Sequence, residues 1–177
     1  MIVTTERLGL RRMTFDDRPA IARILQDPVA MKAYEHAFTD QEVDEWIERQ
    51  ISRYAQYDHG LWAVILTDSG ELIGQTGLTM QDTDRGQVLE IGYLFARKYW
   101  HCGYATEAAE ACKRYAFDRL NANEVYSLIR DTNLPSQRVA LRLGMTPVGR
   151  FVKHYYGVDM PHDLYRITRQ EDGAARD

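Results

Sequence analysis

The hydrophobic and polar positions of this chain change period several times, and each change marks an element. Leu8 and Leu10 alternate with Gly9 and Arg11, the two-residue repeat of a half-buried strand. Thr14 followed by Asp17 reads as a helix start, and Pro19, Ile21, Ala22, Ile24 and Leu25 make a short amphipathic helix. Thr39-Asp40-Gln41-Glu42 is a second helix start, after which Val43, Trp46, Ile47, Ile51 and Tyr54 recur at helical spacing to about Tyr57. Beyond His59-Gly60 the period shortens. Leu61 to Leu66 predicts a strand, Asp68-Ser69-Gly70-Glu71 a hairpin turn, and Leu72 to Leu78 the return strand. A second turn at Asp82 to Gly86 leads into a strand from Gln87 to Phe95. A helix from about Tyr104 to Leu120 is expected to bury Ala105, Ala108, Ala109, Cys112 and Ala116 and to expose Glu107, Glu110, Lys113, Arg114 and Asp118. Then come a strand at Glu124 to Ile129 and a helix from about Asn133 to Leu143 that Gly144 stops. Strands at about Thr146 to Tyr155 and His162 to Thr168 complete the pattern.

This order predicts a mixed α/β (α+β) domain around one largely antiparallel sheet flanked by helices. Such a sheet splays most easily where two neighbouring strands run into helices, here at Phe95 and Ile129, and a central cleft there sets both helix starts beside one ligand. Residues 1–170 are expected to form a single domain and 171–177 a polar, frayed tail.

Composition narrows the function. A chain of 177 residues with 45% hydrophobic and 27% charged residues can bury an ordinary core. A formal net charge of -4 argues against a nucleic-acid partner held by bulk electrostatics. The two cysteines, Cys102 and Cys112, form no Cys-x-x-Cys pair and imply no disulfide framework, which fits a reducing compartment. The first residues lack an apolar signal core, and no apolar run approaches the ~20 residues of a membrane span. A cytoplasmic protein without a membrane partner is expected. No His, Cys, Asp and Glu cluster has metal-ligand spacing, so no metal is expected.

The chemistry concentrates between Glu90 and Ala108. Glu90-Ile91-Gly92-Tyr93-Leu94-Phe95 is a strand carrying a carboxylate, and Trp100-His101-Cys102-Gly103-Tyr104-Ala105 is a glycine loop opening a helix. Unpaired N–H groups at such a helix start bind anions, above all phosphate.

These motifs resemble the GNAT N-acetyltransferases, and more narrowly their RimJ/RimL-type branch. Trp100 to Ala105 is similar to the family's Gln/Arg-x-x-Gly-x-Gly/Ala loop, with Trp100 at the leading position. Asn133-Leu134-Pro135-Ser136-Gln137-Arg138, closed by Leu143-Gly144-Met145, is similar to the second signature, with Met145 where Phe is commoner. Glu90 to Tyr93 is similar to the strand before the loop. The resemblance spans about Thr5 to Thr168.

It implies a GNAT fold and an N-acetyltransferase that moves the acetyl group of acetyl-CoA, its co-substrate, to a primary amine of a peptide or small molecule in a ternary complex. It further implies that Phe95, Lys98, Trp100, His101, Cys102, Gly103, Tyr104 and Ala105 line the cofactor pyrophosphate. Asn133 then meets the pantetheine arm, and Arg138 lies near the cofactor. Arg97 and Lys98 could equally be solvated cations, Asn133 a helix cap, and Arg138 a surface residue. Glu90 is the candidate base, against an ion pair or an exposed charge, and the strand N–H groups near Tyr93 or Leu94 are candidate oxyanion donors. The position where many members carry a proton-donating tyrosine is Ala140. Ser136 is therefore the candidate donor to the leaving thiolate, with Tyr104, Tyr155 and Tyr156 as others, and His154 is an alternative base. Trp46, Tyr34, His36, Tyr54 and Trp62 are assigned no role. A homodimer built on the C-terminal strands would fit the branch. The alternative activity is an acyl-CoA sensor without turnover. The acceptor amine is left open.

Overall fold

The strands are β1 (Val3–Thr4) and, built on two-residue alternation, β2 (Leu8–Arg11), β3 (Leu61–Leu66), β4 (Leu72–Thr83), β5 (Gly86–Phe95), β6 (Glu124–Arg130), β7 (Thr146–Tyr155) and β8 (Val158–Thr168). The helical repeats build α1 (Arg18–Leu25), α2 (Asp40–Tyr57), α3 (Tyr104–Asp118), α4 (Leu134–Arg142) and α5 (Arg169–Ala174). The computed structural model describes residues 1–84, 86–155 and 157–174, with the side chain of Tyr155 outside that set.

The strands form one sheet in the order β1-β2-β3-β4-β5-β6-β8-β7. Neighbours are antiparallel except β5 and β6, which run parallel and meet at Glu90↔Tyr126. By contrast, β4 and β5 pair continuously from Gly74↔Phe95 to Thr83↔Gly86. The C-terminal ends of β5 and β6 therefore diverge, and the sheet is splayed as expected, with α3 following β5 and α4 following β6.

Alternation divides β4 and β5 between two faces. Thr76 opposite Tyr93 and Leu78 opposite Ile91 face α3, where the Thr76 hydroxyl lies 3.6 Å from Cys112 Sγ. Gln75 opposite Leu94 and Thr79 opposite Glu90 face α2, where the Trp46 indole N–H donates to Gln75 Oε1 at 2.9 Å. Ala108, Ala109, Cys112 and Ala116 of α3 are fully buried, and such small side chains let the helix axis approach the sheet closely. They join Leu8, Leu10, Trp62, Ile73, Leu78 and Ile91 in the main core. A smaller cluster of Val88, Leu128 and Leu164 lies where β5, β6 and β8 meet. Thr39 caps α2: its side chain accepts from the Glu42 N–H at 3.3 Å while the Glu42 carboxylate accepts from the Thr39 N–H at 2.8 Å.

Several elements differ from expectation. β1 is too short to show a period, and β8 begins at Val158 rather than His162. Residues 169–174 are helical rather than frayed, because Asp172 is drawn into the protein. Lys113, expected on the exposed side of α3, is only 4% exposed. Its ammonium sits 2.7 Å from Asp172 Oδ1 and 2.9 Å from Glu110 Oε2, and it donates to the Leu143 carbonyl at 3.0 Å. Glu107, also expected to be exposed, is half-buried and accepts from Arg7 and Thr5.

Candidate active site

The loop between β5 and α3 is held by its own first residues. The Trp100 indole N–H donates to the Phe95 carbonyl at 2.8 Å, folding the loop back on the strand end. His101 (φ 62°) and Gly103 (φ 82°) then take left-handed backbone conformations that turn the chain into the helix. At Gly103 the conformation favours glycine, and an added Cβ would sit 3.4 Å from Arg7 Nη2. No side chain caps α3, and its first main-chain bond runs from the Glu107 N–H to the Gly103 carbonyl at 3.1 Å. The N–H groups of Tyr104, Ala105 and Thr106 consequently lack acceptors in the helix, at its positive dipole end. This donor set fits a diphosphate.

Arg7, at the entry to β2, braces the loop. Its Nη1 donates to the Cys102 carbonyl at 3.0 Å, its Nε donates to Glu107 Oε2 at 2.7 Å, and its guanidinium lies 4.5 Å from the Tyr104 ring centroid. The sequence offered no signal for this role, since Arg7 lies outside every motif. Lys98 Nζ is 2.6 Å from Glu71 Oε1, and Arg97 Nε is 2.5 Å from Asp27 Oδ2, so both cations are already ion-paired. His101 and Cys102 are exposed, and Ala105 is half-buried in the first helical turn.

Across the splay, Asn133 caps α4, its Oδ1 accepting from the Ser136 N–H at 3.3 Å. The cap uses the amide oxygen and leaves the amide NH₂ for a ligand. Ser136 is half-buried, and its carbonyl accepts from the Tyr93 hydroxyl at 2.9 Å. This β5–α4 bridge was not legible in sequence, because its acceptor is a main-chain atom. Arg138 is exposed and makes no ion pair among the described residues.

The β5 main chain supplies a further donor. The Ala96 N–H pairs with the Ile73 carbonyl of the β4 side at 2.9 Å. Antiparallel alternation then directs the Leu94 N–H toward Gln75 and turns the Tyr93 N–H to the β6 side, where the ladder has ended. Ser127 of β6 donating to the Ile91 carbonyl at 3.1 Å fits the same alternation. Of the two expected oxyanion donors, the geometry therefore favours Tyr93.

Glu90 lies at the β5–β6 register pair, opposite Tyr126. Its Oε1 accepts from the Leu128 N–H at 3.3 Å and its Oε2 from the Thr79 hydroxyl at 3.4 Å. Desolvation raises its carboxyl above the ordinary range, opposed by the charge of Lys153 and the Leu128 hydrogen bond. A carboxylate shifted in that direction is a better proton acceptor near neutral pH. His154 is exposed and pairs with Asp159 at 2.5 Å. The buried histidine of this region is His162, whose Nδ1 lies 2.8 Å from the Met160 carbonyl and whose pKa burial lowers. Tyr156 and the Tyr155 side chain, considered as proton donors, lie outside the described residues.

The α2 side of the cleft is aromatic. Trp46 packs edge-on against Tyr34 and Phe38 at centroid distances of 6.1 and 5.7 Å. An ion pair between Glu35 and Arg130 ties the segment before α2 to the end of β6. Among the described residues no group of three or more His, Cys, Asp and Glu could hold a metal ion, and no helix is long and apolar enough to cross a membrane.

The sheet opens at its parallel strand pair and carries at that opening a donor-rich helix start, which suits an anionic group. The chain belongs to the acetyltransferase (GNAT) domain family, whose model matches residues 7–146. It is 35% identical over 144 residues to YkkB of Bacillus subtilis, an uncharacterized protein, covering 81% of this chain and 84% of that one. It is 31% identical to the uncharacterized N-acetyltransferase YnaD of the same organism, covering 86% and 87%. Among solved structures it is similar to a GNAT-family acetyltransferase from Bacillus anthracis, with a TM-score of 0.82 and 26% identity, covering 95% of this chain and 98% of that one.

Proposed function

We propose that this acetyltransferase is an acetyl-CoA-dependent N-acetyltransferase of RimJ/RimL type that acetylates a primary amine by direct attack in a ternary complex. The observation that carries the reading is the donor set at the start of α3. The N–H groups of Tyr104 to Thr106, without acceptors in the helix, follow a glycine in a left-handed turn, and they lie beside a sheet opening that carries a carboxylate. In this reading those groups hold the diphosphate, and the Asn133 amide meets the pantetheine arm.

An ammonium has no lone pair, so the acceptor must lose a proton before it attacks. Glu90 takes that proton, directly or through one water. As the C–N bond forms, the Tyr93 N–H stabilises the charge growing on the thioester oxygen. The C–S bond then breaks, and the leaving thiolate receives the proton that the newly acylated nitrogen gives up, with the Ser136 hydroxyl bridging the transfer. A serine hydroxyl is a weak acid, so Ser136 acts chiefly as a hydrogen-bond donor to sulfur. The tyrosine position of the family is Ala140, which is fully buried, and this favours one competing reading, an acyl-CoA sensor without turnover. Calorimetry with acetyl-CoA and a coenzyme A release assay over a broad amine panel separate the two. Binding with amine-dependent release supports the enzyme, and binding without release on every amine supports the sensor.

A further inference from the structure

Tyr93 faces the sheet opening twice. Its N–H turns toward β6 in the plane of the sheet, and its side chain, on the α3 face, donates from the hydroxyl to the Ser136 carbonyl at 2.9 Å. Among the described residues this is the one hydrogen bond that runs directly from β5 to α4. The bonds from β6 to β5 lie beside the register pair instead: Ser127 Oγ donates to the Ile91 carbonyl at 3.1 Å, and the Leu128 N–H to Glu90 Oε1 at 3.3 Å. The other ties of the α4 start run to the β6 side. The Asn133 N–H donates to the Arg130 carbonyl at 2.8 Å, and Gln137 Nε2 donates to the Asp131 carbonyl at 2.9 Å. Packing adds little at this end, where Leu134, Pro135 and Arg138 are exposed. The far end of α4 is fixed independently, through buried Val139 and Ala140 and through Lys113, which donates to the Leu143 carbonyl at 3.0 Å. The Tyr93 hydroxyl therefore sets how far the first turn of α4 stands from β5. Burial raises the phenol well above its ordinary pKa, so this group keeps its proton and stays a donor through the neutral range.

Resting on the transferase reading above, we propose that Tyr93 is a positioning residue, whose side chain holds the Ser136 hydroxyl at a fixed spacing from the Tyr93 N–H across the opening. The two donors serve the thioester oxygen and sulfur, which are bonded to the same carbon, so their spacing has to match one small group. A misplacement of about 1 Å in such an arrangement can cost on the order of 10²-fold in rate. The device is separable from the donor it aligns. The N–H is main chain and survives in Tyr93→Phe, whereas the hydroxyl that places α4 is lost.

The test is steady-state coenzyme A release with the best acceptor of a broad amine panel. It compares the wild type, Tyr93→Phe, Ser136→Ala, the double variant, and protein carrying 4-aminophenylalanine in place of Tyr93, which keeps a donor at the far end of the ring. Thermal melts establish that each is folded, and calorimetry gives the Kd of coenzyme A. Tyr93→Phe is expected to lower kcat by about tenfold or more, with Kd held within about twofold because the diphosphate donors are untouched. Ser136→Ala should cost a similar factor. The double variant should lose no more than about twofold beyond the larger single loss, since both changes remove one arrangement. 4-Aminophenylalanine should restore most of kcat. Multiplying losses in the double variant, an unchanged kcat in either single variant, or no recovery with 4-aminophenylalanine overturns the inference. So does an equal loss of kcat and coenzyme A affinity in Tyr93→Phe, which a general disturbance of the cleft would produce. A folded wild type that binds coenzyme A and turns over no amine is a different result: it removes the transferase reading and, with it, this one.

Discussion

Arg7 and Glu107 join the edge of the sheet to the start of the central helix. Arg7 reaches Glu107 through Nη2 at 2.6 Å, through Nε at 2.7 Å and through its main-chain N–H at 3.0 Å, while Thr5 donates its hydroxyl to the same carboxylate at 2.6 Å. Burial disfavours the charged carboxyl, but the hydrogen bonds from Thr5 and Arg7 prevail and its pKa is lowered. The guanidinium also holds the Cys102 carbonyl, so the pair sets the path of the chain immediately before the donor cluster.

Arg7→Ala should therefore weaken acetyl-CoA binding although Arg7 is assigned no contact with it. Half of this pair is solvent-screened, so the expected loss is about 1 kcal/mol, or roughly fivefold in Kd. Titration calorimetry at fixed ionic strength measures it, with circular dichroism to establish that the variant is folded. Unchanged affinity would show that the loop keeps its path without the brace.

Gly103 separates backbone strain from charge. At φ 82° an alanine is expected to cost about 1–2 kcal/mol through its conformation alone. Gly103→Ala should thus lower thermal stability and weaken acetyl-CoA binding modestly. Gly103→Glu carries the same strain and adds a negative charge at the donor cluster, so it should abolish binding. Equal affinities of the two variants would remove electrostatics from the explanation.

Glu90→Gln tests activity and stability in opposite directions. The Glu90 pKa is raised in the folded protein, so ionisation favours the unfolded chain. The stability it contributes is complete below the unfolded carboxyl range and is lost as pH rises through the folded value. At pH 7 the neutral glutamine should therefore be more stable than the wild type, while still accepting from the Leu128 N–H. Turnover should fall by about 10²–10⁴-fold, the usual contribution of a positioned base. The wild-type rate should rise with pH through the raised carboxyl, and that inflection should vanish in the variant. Thermal melts and pH–rate profiles provide the two readouts, and a retained inflection would assign the base elsewhere.

What sequence could disclose followed from how local each determinant is. The Gly103 turn, the Thr39–Glu42 cap and the alternation of β3 to β5 arise within a few residues, and each was legible. The splay was legible because neighbouring strands were expected to run into helices at Phe95 and Ile129, where such a sheet opens most easily. The Tyr93–Ser136 bridge was not legible, since its acceptor is a carbonyl with no residue signature. Arg7 escaped because its partner is 100 positions away. The ion pairing of Lys98 and Arg97 with Glu71 and Asp27 is likewise a product of tertiary proximity. Lys113 sits at a helix position that polarity alone assigns to solvent, and only the return of the C-terminus covers it.

That return yields the last prediction. Lys113 and Asp172 are 4% and 6% exposed, and they meet at 2.7 Å between α3 and α5. Removing one member of a buried pair leaves the other charge uncompensated, which typically costs about 3–5 kcal/mol. Here Glu110 remains 2.9 Å from the ammonium, so Asp172→Ala should destabilise by less, about 1–3 kcal/mol. Deletion of residues 169–177 should cost more, because it also strips the cover from α3. Lys113→Met combined with Asp172→Leu should recover most of the loss, since an apolar pair avoids the desolvation that both ions incur. Denaturant melts of the single and double variants form a thermodynamic cycle. A coupling energy near zero would mean that Glu110 and the Leu143 carbonyl suffice to hold the buried ammonium.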